Sequence, residues 1–137
     1  MRDVAYIALG SNIGDRDAHL AMARAAIAAL PESRVIAESS IEETAPIGPV
    51  EQPSFLNQMI AVETTLAPRV LLERLHAIEA AAGRVRAERW GPRTLDLDIV
   101  CFDHQTVSEP SLHVPHPEIA ARDFWQRELA ELRGSLR

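Results

Sequence analysis

The pattern of apolar and polar positions divides the chain into alternating strands and helices. Residues 4–10 form a short apolar, partly β-branched run that ends at a glycine, which predicts a buried strand. Between residues 15 and 30, apolar side chains return every three or four positions until Pro31, which predicts an amphipathic helix with Asp15 as its N-cap. In residues 68–83 a proline opens, and a glycine ends, a second stretch of the same period, which predicts a second helix.

Residues 34–41, 56–66 and 96–102 predict three further strands. The resulting order, β-α-β-β-α-β, predicts an α+β fold of the ferredoxin-like type, with an antiparallel sheet and both helices packed on one face. The connections at residues 42–55 and 83–93 are too long or too charged for simple links, so we expect two long functional loops that close over one site. Because neither a repeat nor a linker interrupts the chain, we expect one domain over residues 1–137.

Composition excludes several classes of function. The formal net charge of -6 argues against non-specific binding to nucleic acid. Cys101 is the single cysteine, so an internal disulfide and a thiolate metal cluster are excluded, and all 14 basic residues are arginine, which excludes a P-loop or Schiff-base lysine. With no apolar run of membrane-spanning length and no signal peptide at the start, we expect a cytoplasmic protein.

The stretch RWGPRTLDLDIV, residues 89–100, places two aspartates two residues apart. On a strand, Asp96 and Asp98 project from one face about 6 to 7 Å apart, and the same face is expected to continue through Val100 and Phe102. One interpretation is a solvent-facing strand. Because the face turns apolar, we favour a magnesium site at its rim, since Mg²⁺ accepts one or two carboxylates together with substrate phosphates.

Four of the fourteen arginines fall within residues 84–93. They could form surface ion pairs, which contribute at most about 1 kcal/mol each. Arginine also binds phosphate through two parallel hydrogen bonds and stabilises phosphoryl-transfer transition states. On the second predicted helix, His76 and Glu79 lie on a face that could look toward a ligand. Carboxylates that bind metal and a neighbouring arginine-rich loop together indicate a nucleoside triphosphate.

Three other features leave two interpretations open. The GSNIGD turn, residues 10–15, looks like a phosphate loop but lacks that pattern, so a strand-to-helix turn shaped by glycine is favoured. His116 lies between two prolines in an extended backbone and is either a surface histidine or a site residue. Phe55 and Phe124 each lie beside a loop, and they either pack in the core or stack on a flat ligand.

A resemblance to a known family rests on four segments, ALGSN, TAPIGPVEQPSFLN, GRVRAERWGPRTLDLDI and VPHPEIAARDF, which occur in this order between about residues 4 and 124. Together they resemble 6-hydroxymethyl-7,8-dihydropterin pyrophosphokinase (HPPK), a folate-pathway enzyme family. The resemblance implies Mg²⁺-dependent transfer of pyrophosphate from ATP to the pterin hydroxymethyl oxygen, with AMP as the second product. It implies two Mg²⁺ ions, with ATP and the pterin as small-molecule partners, and neither nucleic acid nor membrane. We expect a monomer, with a dimer as the alternative.

The resemblance also implies roles for individual residues. The metal ligands would be Asp96 and Asp98, and the catalytic set would add Arg84 and Arg93. The residues that would contact ATP are His76, Glu79, Arg86, Trp90, Arg93, Ile99, His116 and Arg122. The residues that would bind the pterin are Thr44, Ala45, Ile47, Phe55, Asn57 and Phe124, with the two phenylalanine rings stacking on it.

The chain departs from the family pattern, chiefly after Phe124, where the C-terminus is shortened and altered. Trp125 and Arg127 stand at places that are normally aliphatic or neutral, Glu42 stands where an aromatic is common, and His76 where a glutamine is common. These departures keep open a catalytically impaired pterin- or nucleotide-binding homologue. A ferredoxin-like RNA-binding module is a further hypothesis, disfavoured because the strands lack paired exposed aromatics.

Overall fold

The structure is a computed structural model that describes residues 2–46, 48–49, 51–83 and 94–137. Its elements are strand β1 (Asp3–Ser11), helix α1 (Arg16–Ala28), strands β2 (Ser33–Glu38), β3 (Glu42–Thr44) and β4 (Phe55–Thr64), helix α2 (Pro68–Ala81), strands β5 (Asp96–Phe102), β6 (Val107–Glu109) and β7 (Leu112–Val114), and helix α3 (Asp123–Ser135). A single 3₁₀ turn, Ile119–Ala121, precedes α3. The α+β class and the predicted β-α-β-β-α-β order are confirmed, with additional short strands and a third helix.

The main sheet is antiparallel and has the strand order β2-β4-β1-β5, with β3 also pairing with β4. β4 is long enough to pair with β1 along its whole length, from Asp3↔Thr64 to Ser11↔Leu56. β2 pairs with the far half of β4 and β3 with its first residues. β5 is therefore an edge strand, and β6 and β7 form a separate hairpin.

Helices α1 and α2 lie on one face of the sheet, as predicted. Their buried apolar side chains recur at the helical period and meet aliphatic residues of the strands in one core cluster. The helix residues of this core are Leu20, Ala23, Ile27, Leu71, Leu75 and Ile78. Each large aliphatic side chain removed from water contributes about 1.5–3 kcal/mol, so this cluster is the main source of stability on this face.

The predicted helix boundaries follow from local chemistry. The Asp15 carboxylate accepts the N–H of Ala18 at 3.1 Å and so caps α1. Gly14 has a φ of 71°, which agrees with a strand-to-helix turn shaped by glycine. Pro68 is the first residue of α2, and Gly83, with a φ of 85°, follows its C-cap.

Helix α3 covers the opposite face of the sheet and had no counterpart in the predicted elements. Trp125, Leu129 and Leu132 are buried at spacings of four and three, and they pack against Tyr6 and Met59. The sheet is thus covered on both faces, by α1 and α2 on one and by α3 on the other. We call the latter the α3 face.

A bulge in β5 overturns one prediction. The register between β1 and β5 shifts between Tyr6 and Ile7, so that Val100 is the extra residue of β5. Asp98 and Val100 lie toward the α3 face, whereas Phe102 packs into the core beneath α1 and α2. The prediction that the aspartate face continues through Phe102 is therefore wrong at that residue.

The first long loop is shorter than expected. Residues 42–44 form β3 and β4 begins at Phe55, so the connection is limited to residues 45–54. The predicted strand at residues 34–41 ends at Glu38 for the same reason, because the chain turns there toward β3. In the second predicted loop, residues 84–93 lie outside the described part of the chain. Within the described part, no helix has both the length and the apolar character to cross a membrane.

Candidate active site on the α3 face

One cross-strand row brings a predicted pterin residue close to a predicted metal ligand. Gly10 of β1 pairs with Asn57 of β4 on one side and with Asp96 of β5 on the other. Directly opposed residues of antiparallel strands point to the same face, and strands are about 4.8 Å apart, so Asn57 and Asp96 stand about 10 Å apart on the α3 face. A Cβ on Gly10 would lie 3.3 Å from Asn57 Oδ1 and 3.5 Å from the ring of Phe55. The glycine therefore keeps this row open.

The two aspartates lie beside a pocket at the edge of the sheet. Asp96 and Asp98 are half-buried and line this pocket, of about 320 Å³, together with His76 from α2 and His113 and His116 from the C-terminal part of the chain. A volume of about 300 Å³ or more is typical of small-molecule sites. The two aspartates thus line a pocket that is large enough for part of a nucleotide.

Glu79 supports the strand that carries the aspartates. Its side chain is 2% exposed, and Oε2 accepts the backbone N–H of Leu97 at 2.8 Å. Leu97 lies between Asp96 and Asp98, so this bond fixes the backbone from which both carboxylates project. The expected contact of Glu79 with ATP stays a prediction.

His116 is held so that one ring nitrogen faces the aspartates. Its Nδ1 accepts the backbone N–H of Glu118 at 3.1 Å, and its own backbone N–H donates to Val100 O at 2.7 Å. The proton of the neutral ring is therefore on Nε2, which lies 3.8 Å from Oδ1 of Asp98. Burial lowers the pKa of His116, and the nearby Arg122 lowers it further while Glu118 opposes this. At neutral pH the ring is an N–H donor toward the pocket, which favours the site interpretation over that of a surface histidine.

The Trp125 indole contacts both Arg122 and His116. The Arg122 guanidinium donates to Oε1 of Glu118 at 3.3 Å and lies 4.5 Å from the centre of the Trp125 ring. The same indole meets the His116 ring at 4.9 Å with an interplanar angle of 86°. Sequence reasoning treated Trp125 as a departure from a family pattern and missed this contact, because it depends on how α3 is docked.

Three of the predicted pterin residues lie at the end of β3 and the start of β4. Thr44 pairs with Phe55 in the sheet, and its hydroxyl accepts a short hydrogen bond from Nδ2 of Asn57. Phe55 and Phe124 are half-buried, as a ring that stacks on a ligand must be, and Ala45 is exposed in the loop that follows β3. Ile99 lies at the pocket with its side chain in the core beneath α1 and α2. The structure thus brings Thr44, Phe55 and Asn57 together.

Two residues that sequence reasoning missed tie down the loop at residues 45–54. The buried Asn12 donates from Nδ2 to Oε1 of Gln52 at 2.8 Å and to the carbonyl of Pro53 at 2.9 Å. Arg16 donates to the carbonyl of Ser54 at 2.9 Å and to Glu43 at 2.7 Å. A signal for Asn12 was present, because an amide directly after a buried strand must find partners once it is itself buried.

Several predicted site residues lie outside the described part of the chain. They are Ile47, Arg84, Arg86, Trp90 and Arg93.

The donors present at the aspartates fit magnesium carried by a substrate. Among residues 2–46, 48–49, 51–83 and 94–137, no group of three or more His, Cys, Asp or Glu side chains forms a metal site by itself. Mg²⁺ commonly binds through one or two carboxylates, with phosphates and water supplying the other ligands. Asp96 and Asp98, on one face of one strand, are such a donor set.

Comparison with known proteins identifies the family of the chain. A family model for 7,8-dihydro-6-hydroxymethylpterin-pyrophosphokinase (HPPK) matches residues 6–134. The chain belongs to the HPPK family. The expected family resemblance is thereby confirmed, and the chain is an enzyme of the pyrophosphokinase class.

Relatives from three bacteria are 46% or 47% identical to this HPPK-family chain over the 132 aligned residues. Each is a 2-amino-4-hydroxy-6-hydroxymethyldihydropteridine pyrophosphokinase. The protein from Pseudomonas aeruginosa is 47% identical over 132 residues, which cover 96% of this chain and 82% of the relative. Those from Bacillus subtilis and Methylorubrum extorquens are each 46% identical over 96% of this chain, with 79% and 84% of the relative covered.

Proposed function

We propose that this chain transfers the pyrophosphoryl group of ATP to the hydroxymethyl oxygen of 6-hydroxymethyl-7,8-dihydropterin, and so serves folate biosynthesis. The observation that carries the proposal is the row of Asn57, Gly10 and Asp96, which sets an amide suited to a pterin about 10 Å from a carboxylate pair on the same face. The names of the bacterial relatives support the choice of acceptor, because each contains hydroxymethyldihydropteridine.

The pocket beside the aspartates supports ATP as the donor. It is bounded by His76, His113 and His116, and the Trp125 indole contacts both His116 and the Arg122 guanidinium. The Nε2–H of His116 can donate to a phosphate oxygen, and arginine binds phosphate through paired N–H groups. A triphosphate bound in this pocket would therefore lie next to Asp96 and Asp98.

Asp96 and Asp98 would hold two Mg²⁺ ions delivered with the nucleotide. Bound there, the ions would neutralise the negative charge of the triphosphate and align it for in-line displacement. The N–H of Leu97 donates to Glu79, which fixes the backbone from which both carboxylates project. This preorganisation is the contribution of β5 and α2.

In the proposed reaction, the pterin hydroxymethyl oxygen forms a bond to the β-phosphorus of ATP. The bond between that phosphorus and the oxygen bridging to the α-phosphorus breaks, AMP leaves with the bonding electrons, and the proton of the hydroxymethyl group is released to water. Asn57 and Thr44 orient the pterin, with Phe55 and Phe124 stacking on its ring. Phosphoryl transfer needs positioning and charge compensation more than a group that bonds covalently to the substrate, and these residues can supply both. Arg84 and Arg93 complete the proposal as phosphate ligands.

The proposal is tested by measuring nucleotide products chromatographically after incubating the protein with ATP, Mg²⁺ and 6-hydroxymethyl-7,8-dihydropterin. We expect AMP and the pterin diphosphate in equal amounts, with no product when the pterin is omitted or when EDTA is added. AMP that forms equally well in EDTA would contradict the magnesium assignment, and ADP in place of AMP would contradict pyrophosphoryl transfer. Tight binding of both substrates by calorimetry without any AMP would instead support the catalytically impaired homologue.

A further inference from the structure

We propose that Trp125 is a positioning residue for the nucleotide side of this site, because its indole holds both His116 and Arg122 in place. The inference rests on the proposed function, in which these two residues contact ATP. Trp125 itself is 2% exposed and lies beneath them, so it acts through its neighbours and does not touch the substrate.

The contacts of the indole are specific in geometry. The Arg122 guanidinium carbon lies 4.5 Å from the ring centre, within the range of a cation–π contact. The His116 ring stands nearly perpendicular to the indole at 4.9 Å, and the Phe124 ring lies at 6.3 Å with an angle of 70°. Perpendicular arrangements at 4.5–7 Å are those that aromatic pairs prefer. One buried ring therefore contacts three side chains that are expected to meet the substrates.

Arg122 depends on this ring because its other support is weak. Among the described residues its side chain forms one hydrogen bond, to Glu118 at 3.3 Å, which is long for a charged pair. Its Nε is buried and has no hydrogen-bond partner among the described residues. The indole face is thus the main surface that fixes the plane of the guanidinium, and a guanidinium held in one plane loses less entropy when it binds phosphate.

The backbone couples Trp125 to Arg122 as well. Arg122 is the N-cap of α3, and its carbonyl accepts the N–H of Trp125 at 3.0 Å. Arg122 provides no side-chain cap for this helix, so the burial of Trp125 in the core anchors the first turn of α3. The position of the Arg122 backbone therefore follows from where the indole is buried.

A purely structural role for Trp125 makes a different prediction, and Leu132 provides the matched control. Leu132 is also fully buried in α3 and belongs to the same cluster, but it lies two turns, about 10 Å, further along the helix. Replacing Leu132 with Ala removes buried apolar surface from α3 while leaving the indole and its contacts present. A positioning role moves nucleotide affinity, whereas general destabilisation lowers only the melting temperature.

The experiment compares wild type, Trp125→Leu, Trp125→Phe and Leu132→Ala by calorimetric binding of Mg-ATP and by steady-state AMP formation. We expect Trp125→Leu to raise Kd and KM for ATP about tenfold, equivalent to about 1.4 kcal/mol, with kcat within about twofold of that of wild type. Trp125→Phe, which keeps an aromatic face, should recover most of the affinity. Leu132→Ala should lower Tm without changing KM for ATP.

Several outcomes would overturn the inference. Wild-type Kd for ATP in folded Trp125→Leu, or an equal rise in Trp125→Leu and Leu132→Ala, would show that Trp125 is a core residue only. Should Trp125→Leu not fold, Trp125→Met takes its place, with the same expected rise. If wild type itself binds no ATP, the proposed function falls and this inference falls with it, whereas ATP binding that is insensitive to Trp125 removes this inference alone.

Discussion

The two faces of the sheet differ in what they bury. The core beneath α1 and α2 consists of aliphatic side chains and Phe102, with the helix residues at regular spacing. On the α3 face, the buried set adds Tyr6, Trp125 and the carboxyl group of Glu128, and the same face carries the aspartate pair toward one end. The regular face stabilises the fold, and the irregular one bears the polar groups that chemistry needs.

Helix α3 is tied to the irregular face through polar contacts with the start of β3. Arg127 meets the carboxylate of Glu42 at 3.2 Å, and Glu131 accepts hydrogen bonds from the backbone and hydroxyl of Ser40 at 2.9 and 3.1 Å. Glu42 and Arg127, which were both expected to depart from the family pattern, contact each other. Helix α3 is therefore held against the segment that leads into β3.

The largest expected effect comes from Asp98→Asn, which removes a carboxylate charge while keeping its shape. We expect turnover to fall about 1,000-fold or more, the scale seen when a charge-compensating group is lost from phosphoryl transfer, with Tm nearly unchanged. The measurement is initial rate of AMP formation. Glu73→Gln, an exposed acid on α2, is the control and should keep full activity. Activity of Asp98→Asn within tenfold of wild type would contradict the assignment.

A substitution in the core beneath α1 and α2 should instead lower stability and leave substrate binding unchanged. Leu75→Ala removes a fully buried side chain beneath α2 and should lower the free energy of unfolding by about 2–5 kcal/mol. KM values for the molecules that remain folded should stay close to those of wild type, because Leu75 lies in the core and does not line the pocket. Urea unfolding and AMP assays at low temperature check both expectations. A folded variant with strongly altered KM values would show that the faces are not separable.

A pH effect of intermediate size should come from Glu128. Its side chain is 2% exposed, and burial, reinforced by the Glu42 carboxylate, raises its pKa from 4.5 to about 9, with Arg127 opposing the shift. Between these two values the folded chain retains a proton that the unfolded chain releases, so stability is greatest below pH 4.5 for this group and is lost as pH rises toward 9. The slope is about 1 kcal/mol per pH unit.

The contribution of Glu128 is measured by urea unfolding at several pH values between about 5.5 and 8.5, which lie inside this pH window. Glu128→Gln, which is neutral at every pH, should lose most of the downward slope, whereas Glu131→Gln, exposed on the same helix, should keep it. Parallel curves for wild type and Glu128→Gln would mean that Glu128 is ionised in the folded protein.

The smallest expected effect is that of Gly10→Ala. Its Cβ would stand 3.3 Å from Asn57 Oδ1 and 3.5 Å from the Phe55 ring, so the pterin side of the site must shift by a few tenths of an ångström. We expect KM for the pterin to rise by about threefold, equivalent to less than 1 kcal/mol, with KM for ATP unchanged. Gly134→Ala, whose Cβ meets nothing within 4 Å, is the control. Equal KM values for the pterin in wild type, Gly10→Ala and Gly134→Ala would contradict the proposed role of the row formed by Asn57, Gly10 and Asp96.

Sequence periodicity was sufficient for the regular face because its residues repeat locally. The β5 strand was predicted at its observed bounds, and α1 and α2 follow their apolar period and their capping residues closely. Helix α3 carried the same kind of signal in Trp125, Leu129 and Leu132. The bulge at Val100 could not be predicted, because it arises from the register with β1 and leaves no mark in the sequence of β5 alone.

In the site, too, some residues could be predicted from local sequence and others could not. Asp96, Asp98 and His116 could be selected from residue type and neighbouring sequence, and the structure places all three at one pocket. The position of Trp125 beneath Arg122, and the contact of Arg127 with Glu42, join segments far apart in the chain. Such contacts depend on how α3 is docked on the sheet, which local patterns do not specify.

Paramagnetic broadening by Mn²⁺ with a non-hydrolysable ATP analogue, followed in ¹H–¹⁵N spectra, tests most directly that the chemistry lies on the α3 face at the start of β5. We expect loss of the amide signals of Gly10, Leu97 and Asp98, with little effect on Ile27 in the opposite core, and no broadening at the first two positions in Asp98→Asn. Broadening centred on the GSNIGD turn or on α1, or unchanged spectra with saturating analogue, would contradict it.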